Sequence, residues 1–133
     1  MAAQGLTAAE RIRRRQDFER VYATGARISG RFMTVFVLSN GLTTSRLGVA
    51  ATKKLGGAVE RNRARRLARE VFRRHKHATG EDIVILPRRE MLDAPFPRLE
   101  ADYQDILGRP RRRSGPPDPR RSGGRRPSSA PRL

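Results

Sequence analysis

The chain has 133 residues, enough for one small domain of about 100 residues and a tail, and it leaves no space for a separate catalytic domain. Its 30 lysines and arginines, mostly arginines, stand against 13 acids, and the resulting net charge of +17 favours a nucleic acid or an anionic membrane surface as partner. The absence of cysteine removes disulfides, zinc thiolates, cysteine nucleophiles and thiol redox chemistry together, and it fits a cytosolic protein.

Residues 1–15 form a basic opening segment without the apolar stretch of a secretion signal. The longest apolar run, near Phe32 to Leu38, is broken by Thr34 and far too short to cross a bilayer, so no membrane association is expected. In 16–23, Phe18, Val21 and Tyr22 fall at i, i+3, i+4, with Asp17 in the first turn and Gly25 following as a stop, which predicts a short helix. Residues 31–39 read as a strand rich in Phe and Val. Asn40-Gly41 begins a turn region that leads to a second strand at 47–52, expected to pair antiparallel with the first.

After Gly56-Gly57, the spacing predicts a helix over 58–74. Ala64, Leu67, Ala68, Val71 and Phe72 form its apolar face at i, i+3, i+4, i+7, i+8. On the opposite face Asn62, Arg66, Arg69 and Arg73 fall in one stripe, with Arg65 beside it and Arg61 and Arg63 at its N-terminal flanks. Solvated helix faces mix signs, whereas here only Glu60 and Glu70 interrupt seven arginines. Such like charges repel, so an external polyanion should neutralise them, and the planar guanidinium fork suits phosphate oxygens. The apolar face, with two alanines, reads as a core surface rather than a membrane-embedded one, which favours nucleic acid.

Thr79-Gly80 closes this region, and 82–86 supply a third strand, Ile83-Val84-Ile85-Leu86, stopped by Pro87. Strand, helix and strand over about 40 residues imply a crossover and a parallel pair. Leu99, Tyr103, Ile106 and Leu107 mark a last amphipathic helix entered through Pro95 and Pro97. The order α-β-β-α-β-α predicts a small sheet with helices packed against it, in an α+β class. Residues 108–133 hold nine arginines, one acid (Asp118) and otherwise mostly Pro, Gly and Ser; they read as a disordered tail of net charge +8, adding non-specific RNA affinity or acting as a solubilising extension. The division is therefore 1–15, 16–107 and 108–133.

No protein active site stands out. His75 and His77 are two apart, which points them in different directions on a helix, so they read as solvated rather than metal-binding. Glu100, Asp102 and Asp105 read as a polar outer face, and Glu81 and Asp82 as turn residues. Gly56-Gly57 lacks the spacing of a nucleoside triphosphate loop, yet it leaves Lys53 and Lys54 near a helix N-terminus, where anions are favoured. No helix-turn-helix pair is evident, which argues against a sequence-specific DNA binder.

The run Thr52-Lys53-Lys54-Leu55-Gly56-Gly57-Ala58-Val59, followed by Arg61-Asn62-Arg63 and Arg65-Arg66-Leu67-Ala68-Arg69-Glu70, closely resembles the signature of the bacterial ribonuclease P protein component. Asp17-Phe18 in the first helix and the opening basic segment fit the same plan, so the resemblance covers about 6–107. It implies an α+β sandwich of the ribosomal protein S5 domain 2-like type, with a left-handed β-α-β crossover that breaks the usual right-handed rule. It implies that an RNA is the catalyst, that magnesium ions held by that RNA drive hydrolysis, and that one protein acts per RNA to release the 5′ leader of precursor tRNA in the cytoplasm. It assigns contact with the catalytic RNA to Lys54, Arg61, Asn62, Arg63, Arg65, Arg66 and Arg69. It places the leader in a cleft between the first helix and the sheet, lined by Phe18, Tyr22, Phe32, Thr34 and Phe36 and bordered by Thr52 and Lys53, where aromatics stack on bases. Tyr22 stands where phenylalanine is common and Thr52 where serine is. Phe18, Val21 and Tyr22 also suit simple core packing at their spacing, and the whole pattern also suits a structural or ribosome-associated RNA-binding protein.

Overall fold

A computed structural model describes residues 8–75 and 80–109. The opening residues 1–7, His77, Thr79 and the tail from residue 110 lie outside them. The elements are α1 (Arg15–Thr24), β1 (Ala26–Ser29), β2 (Met33–Ser39), β3 (Arg46–Val49), α2 (Ala58–Arg74), β4 (Glu81–Pro87) and α3 (Phe96–Gly108), with short 3-10 turns at Ala8–Glu10, Lys53–Leu55 and Arg89–Asp93. The fold is α+β, with a four-stranded mixed sheet in the order β1-β2-β4-β3.

Two expectations about the strands are corrected. Residues 26–29 form an additional strand, β1, antiparallel to β2 with Ala26 opposite Val37 and Ser29 opposite Thr34. The two strands expected before α2, now β2 and β3, do not pair with each other, because β4 lies between them, antiparallel to β2 and parallel to β3. Ile83, Val84 and Ile85 are fully buried, so β4 needs a strand on each edge and a layer on each face, and only the central position supplies both. The parallel β3/β4 pair requires the crossover that α2 provides.

Strand alternation gives each face its own core. Ile28, Val35, Ile85, Ile83 and Leu47 point to the side packed by Ala68, Val71 and Phe72 of α2 and by Leu99, Tyr103 and Ile106 of α3. Phe36 and Val84 point to the other side, where Ile12 and, from α1, Phe18 and Val21 cover them. The turn Arg89–Asp93 adds buried Met91 and Leu92, an irregular stretch without periodicity to betray it. The apolar face read for α2 is as expected, with Leu67 only half-buried.

Charged groups lock these layers. The Arg46 guanidinium donates to both Asp82 oxygens, at 2.7 and 2.6 Å, and stands 3.8 Å from Asp17 on α1. Asp17 also pairs with Arg20, and Asn40 Nδ2 donates to Asp82 Oδ1 at 2.9 Å. Asp82 is 1% exposed and is thus a buried anchor in β4 rather than a turn residue. On α3, the Asp102 carboxylate accepts the backbone N–H groups of Arg31 and Phe32 at 3.0 and 2.9 Å, Glu100 meets His75 at 3.1 Å, and Asp105 meets Arg109 at 2.8 Å. Asp102 and Glu100 are therefore fastenings of the fold, while Asp105, exposed and paired only within its own helix end, keeps to the polar outer face.

Candidate nucleic-acid interface

The first surface grows from the loop before α2. Gly56 has φ +128°, a conformation L side chains rarely adopt, and a Cβ there would stand 3.0 Å from Glu60 Cγ. The sharp turn lets Glu60 Oε1 accept from the Gly57 N–H at 3.0 Å, while Arg61 Nη1 donates to the Gly56 carbonyl at 3.0 Å. The carboxylate of Glu60 thus occupies a helix-terminal donor that the sequence left open to anions, and Arg61 is partly committed to holding the loop.

Along α2, Asn62, Arg63, Arg66 and Arg69 are exposed, and Arg65 is half-buried with Nη1 donating to Asn62 Oδ1 at 2.9 Å. Arg73 drops out of the expected stripe, because it and Arg74 are bound to Glu70 at 2.6 and 2.9 Å, which holds the Glu70 carboxyl below its ordinary pKa. Lys53 and Lys54 are exposed in the 3-10 turn that precedes the loop. Although Arg69 is exposed, partial desolvation of its guanidinium, and then the charges of Arg11, Arg65 and Arg66, hold it below its ordinary pKa. Arg11 was missed in the sequence, where nothing links the opening segment to α2. Its signal is tertiary, a bridge to Leu47 on the edge strand β3.

The second surface is the sheet face partly covered by α1. The Tyr22 ring meets Phe36 edge-on at 5.0 Å and 68°, and Phe18 at 6.4 Å. Phe36 is 2% and Phe18 8% exposed, so Tyr22, half-buried, carries most of the aromatic surface that a ligand could touch. Burial pushes the Tyr22 phenol up to about 12, so it stays a neutral donor, and its buried oxygen has no hydrogen-bond partner. Thr34 and Phe36 share this face with the half-buried Leu86 and Leu38. Arg88 Nη2 reaches to 3.4 Å from Thr34 Oγ1, and the Arg27 guanidinium lies 6.0 Å from the Phe36 ring centroid, two flanking cations that strand reading alone did not single out. Thr52, half-buried, and Lys53 follow Ala50, whose N–H continues the β3/β4 ladder by donating to Ile85 O at 2.9 Å.

Phe32 does not belong to this face. The expected strand would carry it in phase with Thr34 and Phe36, but β2 begins at Met33, and a turn in which Gly30 N–H donates to Met33 O at 2.8 Å rotates Phe32 away. It packs in the core shared with α2 and α3, with Arg31 at 5.6 Å over its ring.

Among the described residues no helix is long and apolar enough to cross a membrane. The Ribonuclease P family model matches residues 6–111. The ribonuclease P protein component of Thermotoga maritima is 37% identical over 99 residues, spanning 73% of this chain and 84% of that protein. That of Syntrophus aciditrophicus is 42% identical over 85 residues, spanning 62% and 71%. Among solved structures, the RNase P protein of Thermotoga maritima superposes with a TM-score of 0.67 at 33% identity, covering 74% of this chain and 94% of that one. The RNase P protein of Staphylococcus aureus gives 0.66 at 32%, covering 74% and 92%.

Proposed function

The chain belongs to the ribonuclease P protein family, and from that premise we propose that it serves 5′ maturation of tRNA as the protein subunit of a ribonucleoprotein whose RNA carries the chemistry. The observation that supports this most directly is the pairing of two different polyanion surfaces on one small domain: an arginine stripe on α2, and an aromatic cleft with flanking cations on the opposite face of the sheet. In this reading Lys54, Arg61, Asn62, Arg63, Arg65, Arg66 and Arg69 hold phosphates of the ribonuclease P RNA, and a phosphate-directed stripe positions without reading sequence. Tyr22, Thr52 and Lys53 receive the single-stranded 5′ leader of precursor tRNA over a floor formed by the buried Phe18, Thr34 and Phe36, Tyr22 stacking and the cations meeting its backbone.

The protein supplies binding and orientation, one copy per RNA, in the cytoplasm. Magnesium is assigned to the RNA, since the cleft offers hydroxyls and cations, Thr34, Thr52, Arg27, Arg88 and Lys53, where a hard divalent ion needs carboxylate or carbonyl oxygens. Holding the leader raises affinity for the precursor over the mature product, which is a contribution to binding energy rather than to bond breaking.

The test is 5′ processing of precursor tRNA by a bacterial ribonuclease P RNA at low magnesium, with and without this protein, beside a protein-only control. Stimulation that requires the RNA is expected. Tight RNA binding without stimulation would favour a structural RNA-binding role, and cleavage by protein alone would overturn the assignment of chemistry to the RNA.

A further inference from the structure

The opening segment and α2 are distant in sequence, yet the fold joins their charges. After the turn Ala8–Glu10, Arg11 bridges to Leu47 and the Ile12 N–H donates to Leu47 O at 2.9 Å, so the segment runs along the outer edge of β3. Successive residues of an extended segment point to opposite sides. Ile12 enters the core beneath α1, against the position of Gly48, and Arg11, paired with Leu47, is turned with it to the α2 side of the sheet, where its charge acts on Arg69.

This arrangement is unfavourable as it stands. Arg11 is half-buried, and its Nε is a buried donor with no hydrogen-bond partner. A buried unmatched donor is costly, the more so on a charged group. The guanidinium groups that act on Arg69, those of Arg11, Arg65 and Arg66, are cations without exception. An anion with several acceptor oxygens would satisfy the orphaned N–H and cancel the repulsion at once, and guanidinium forks match phosphate geometry.

We propose that Arg11 completes a phosphate-binding cluster with Arg65, Arg66 and Arg69, through which the opening segment holds a backbone phosphate of the catalytic RNA at the junction of β3 and α2. The proposal rests on the reading of α2 as the RNA-binding element and extends it to a second piece of chain. A phosphodiester of the RNA and free inorganic phosphate share the required chemistry, and the experiment separates them.

Binding of full-length Arg11→Ala, Arg11→Lys, Arg66→Ala and parent protein to ribonuclease P RNA is measured across a salt series, beside thermal melts of the free proteins at low ionic strength with and without millimolar inorganic phosphate. Arg11→Ala is expected to weaken binding roughly tenfold. Its log-log salt slope should fall by roughly 0.7 to 0.9, the share of one phosphate contact, with part of the affinity kept by Arg11→Lys. Combined with Arg69→Ala, the loss should be less than additive, because the two share one anion. The free Arg11→Ala protein should melt no lower than the parent, since relief of cation repulsion offsets any lost packing. A normal slope for Arg11→Ala with a reduced slope for Arg66→Ala would overturn the Arg11 assignment alone, and normal slopes for both would overturn the reading of α2. A lower melting temperature with unchanged RNA binding would mean that Arg11 is structural. Stabilisation of the parent by inorganic phosphate, lost in Arg11→Ala while RNA binding stays intact, would make the cluster a free-anion site and overturn its assignment to RNA.

Discussion

Gly48 lies directly beneath the ring of Phe18: a Cβ built on Gly48 would stand 2.7 Å from Phe18 Cε1 and Cζ, and 3.3 Å from Ile12 Cβ. The closeness of α1 to the sheet is therefore set by the absence of a side chain on β3. Gly48→Ala should force α1 outward and destabilise the fold by about 1–3 kcal/mol, the usual range for overpacking. Urea unfolding checks the stability. Precursor tRNA binding checks the cleft, where preference for the leader-bearing form over mature tRNA should fall with it. An unchanged midpoint and preference would show that α1 is free to move without consequence.

Phe18 and Tyr22 are one helical turn apart and should separate in their effects. Phe18→Ala empties a buried position and should cost about 3–5 kcal/mol of folding stability. Tyr22→Ala removes a half-buried ring, so its main effect should fall on leader preference, where loss of one stacked base is worth about 1–3 kcal/mol. Tyr22→Phe should retain most of that preference, since the ring does the stacking. Equal leader preference in parent and Tyr22→Ala would remove Tyr22 from the cleft.

Arg46 bridges Asp82 of β4 and Asp17 of α1, and the Asp82 hydrogen bonds raise its pKa further. Arg46→Met leaves Asp82 as a buried charge whose only remaining side-chain donor among the described contacts is Asn40, and should cost about 3–5 kcal/mol. Pairing it with Asp82→Asn should recover part of the loss, because the charge left behind is what makes the single variant costly. Guanidinium unfolding of the two variants measures the difference, and equal losses would argue that Arg46 matters through packing instead.

Within α2, Arg66 and Arg69 should behave differently from Arg73. Arg66→Ala with Arg69→Ala should weaken RNA binding and lower its salt slope by roughly 0.7 to 0.9 per lost phosphate contact. Arg73 is held by Glu70, so Arg73→Ala should leave the slope close to the parent value. A salt titration of all three settles the ranking, and a slope for Arg73→Ala as low as that of the double variant would place Arg73 on the RNA.

Periodicity alone identified α1, α2 and α3 and their apolar faces, because a helix's face depends only on residues within a few turns of one another. The arginine stripe was legible for the same reason, and the Thr52 to Glu70 run carried the family resemblance. Non-local choices were not legible. The position of β4 between β2 and β3, the strand β1 and the displacement of Phe32 depend on which edges pair and where a ladder begins, which no local pattern encodes. The commitment of Arg73 to Glu70 is an i−3 contact that spacing allows but does not choose. The basic character of the chain, its helices and the chemistry of its partner were thus determined by sequence; which cations face one another, and which aromatic ring stays open on the sheet face, were decided only when the bridge to β3 brought Arg11 toward Arg69 and the packing of α1 on the sheet brought Tyr22 to Phe36.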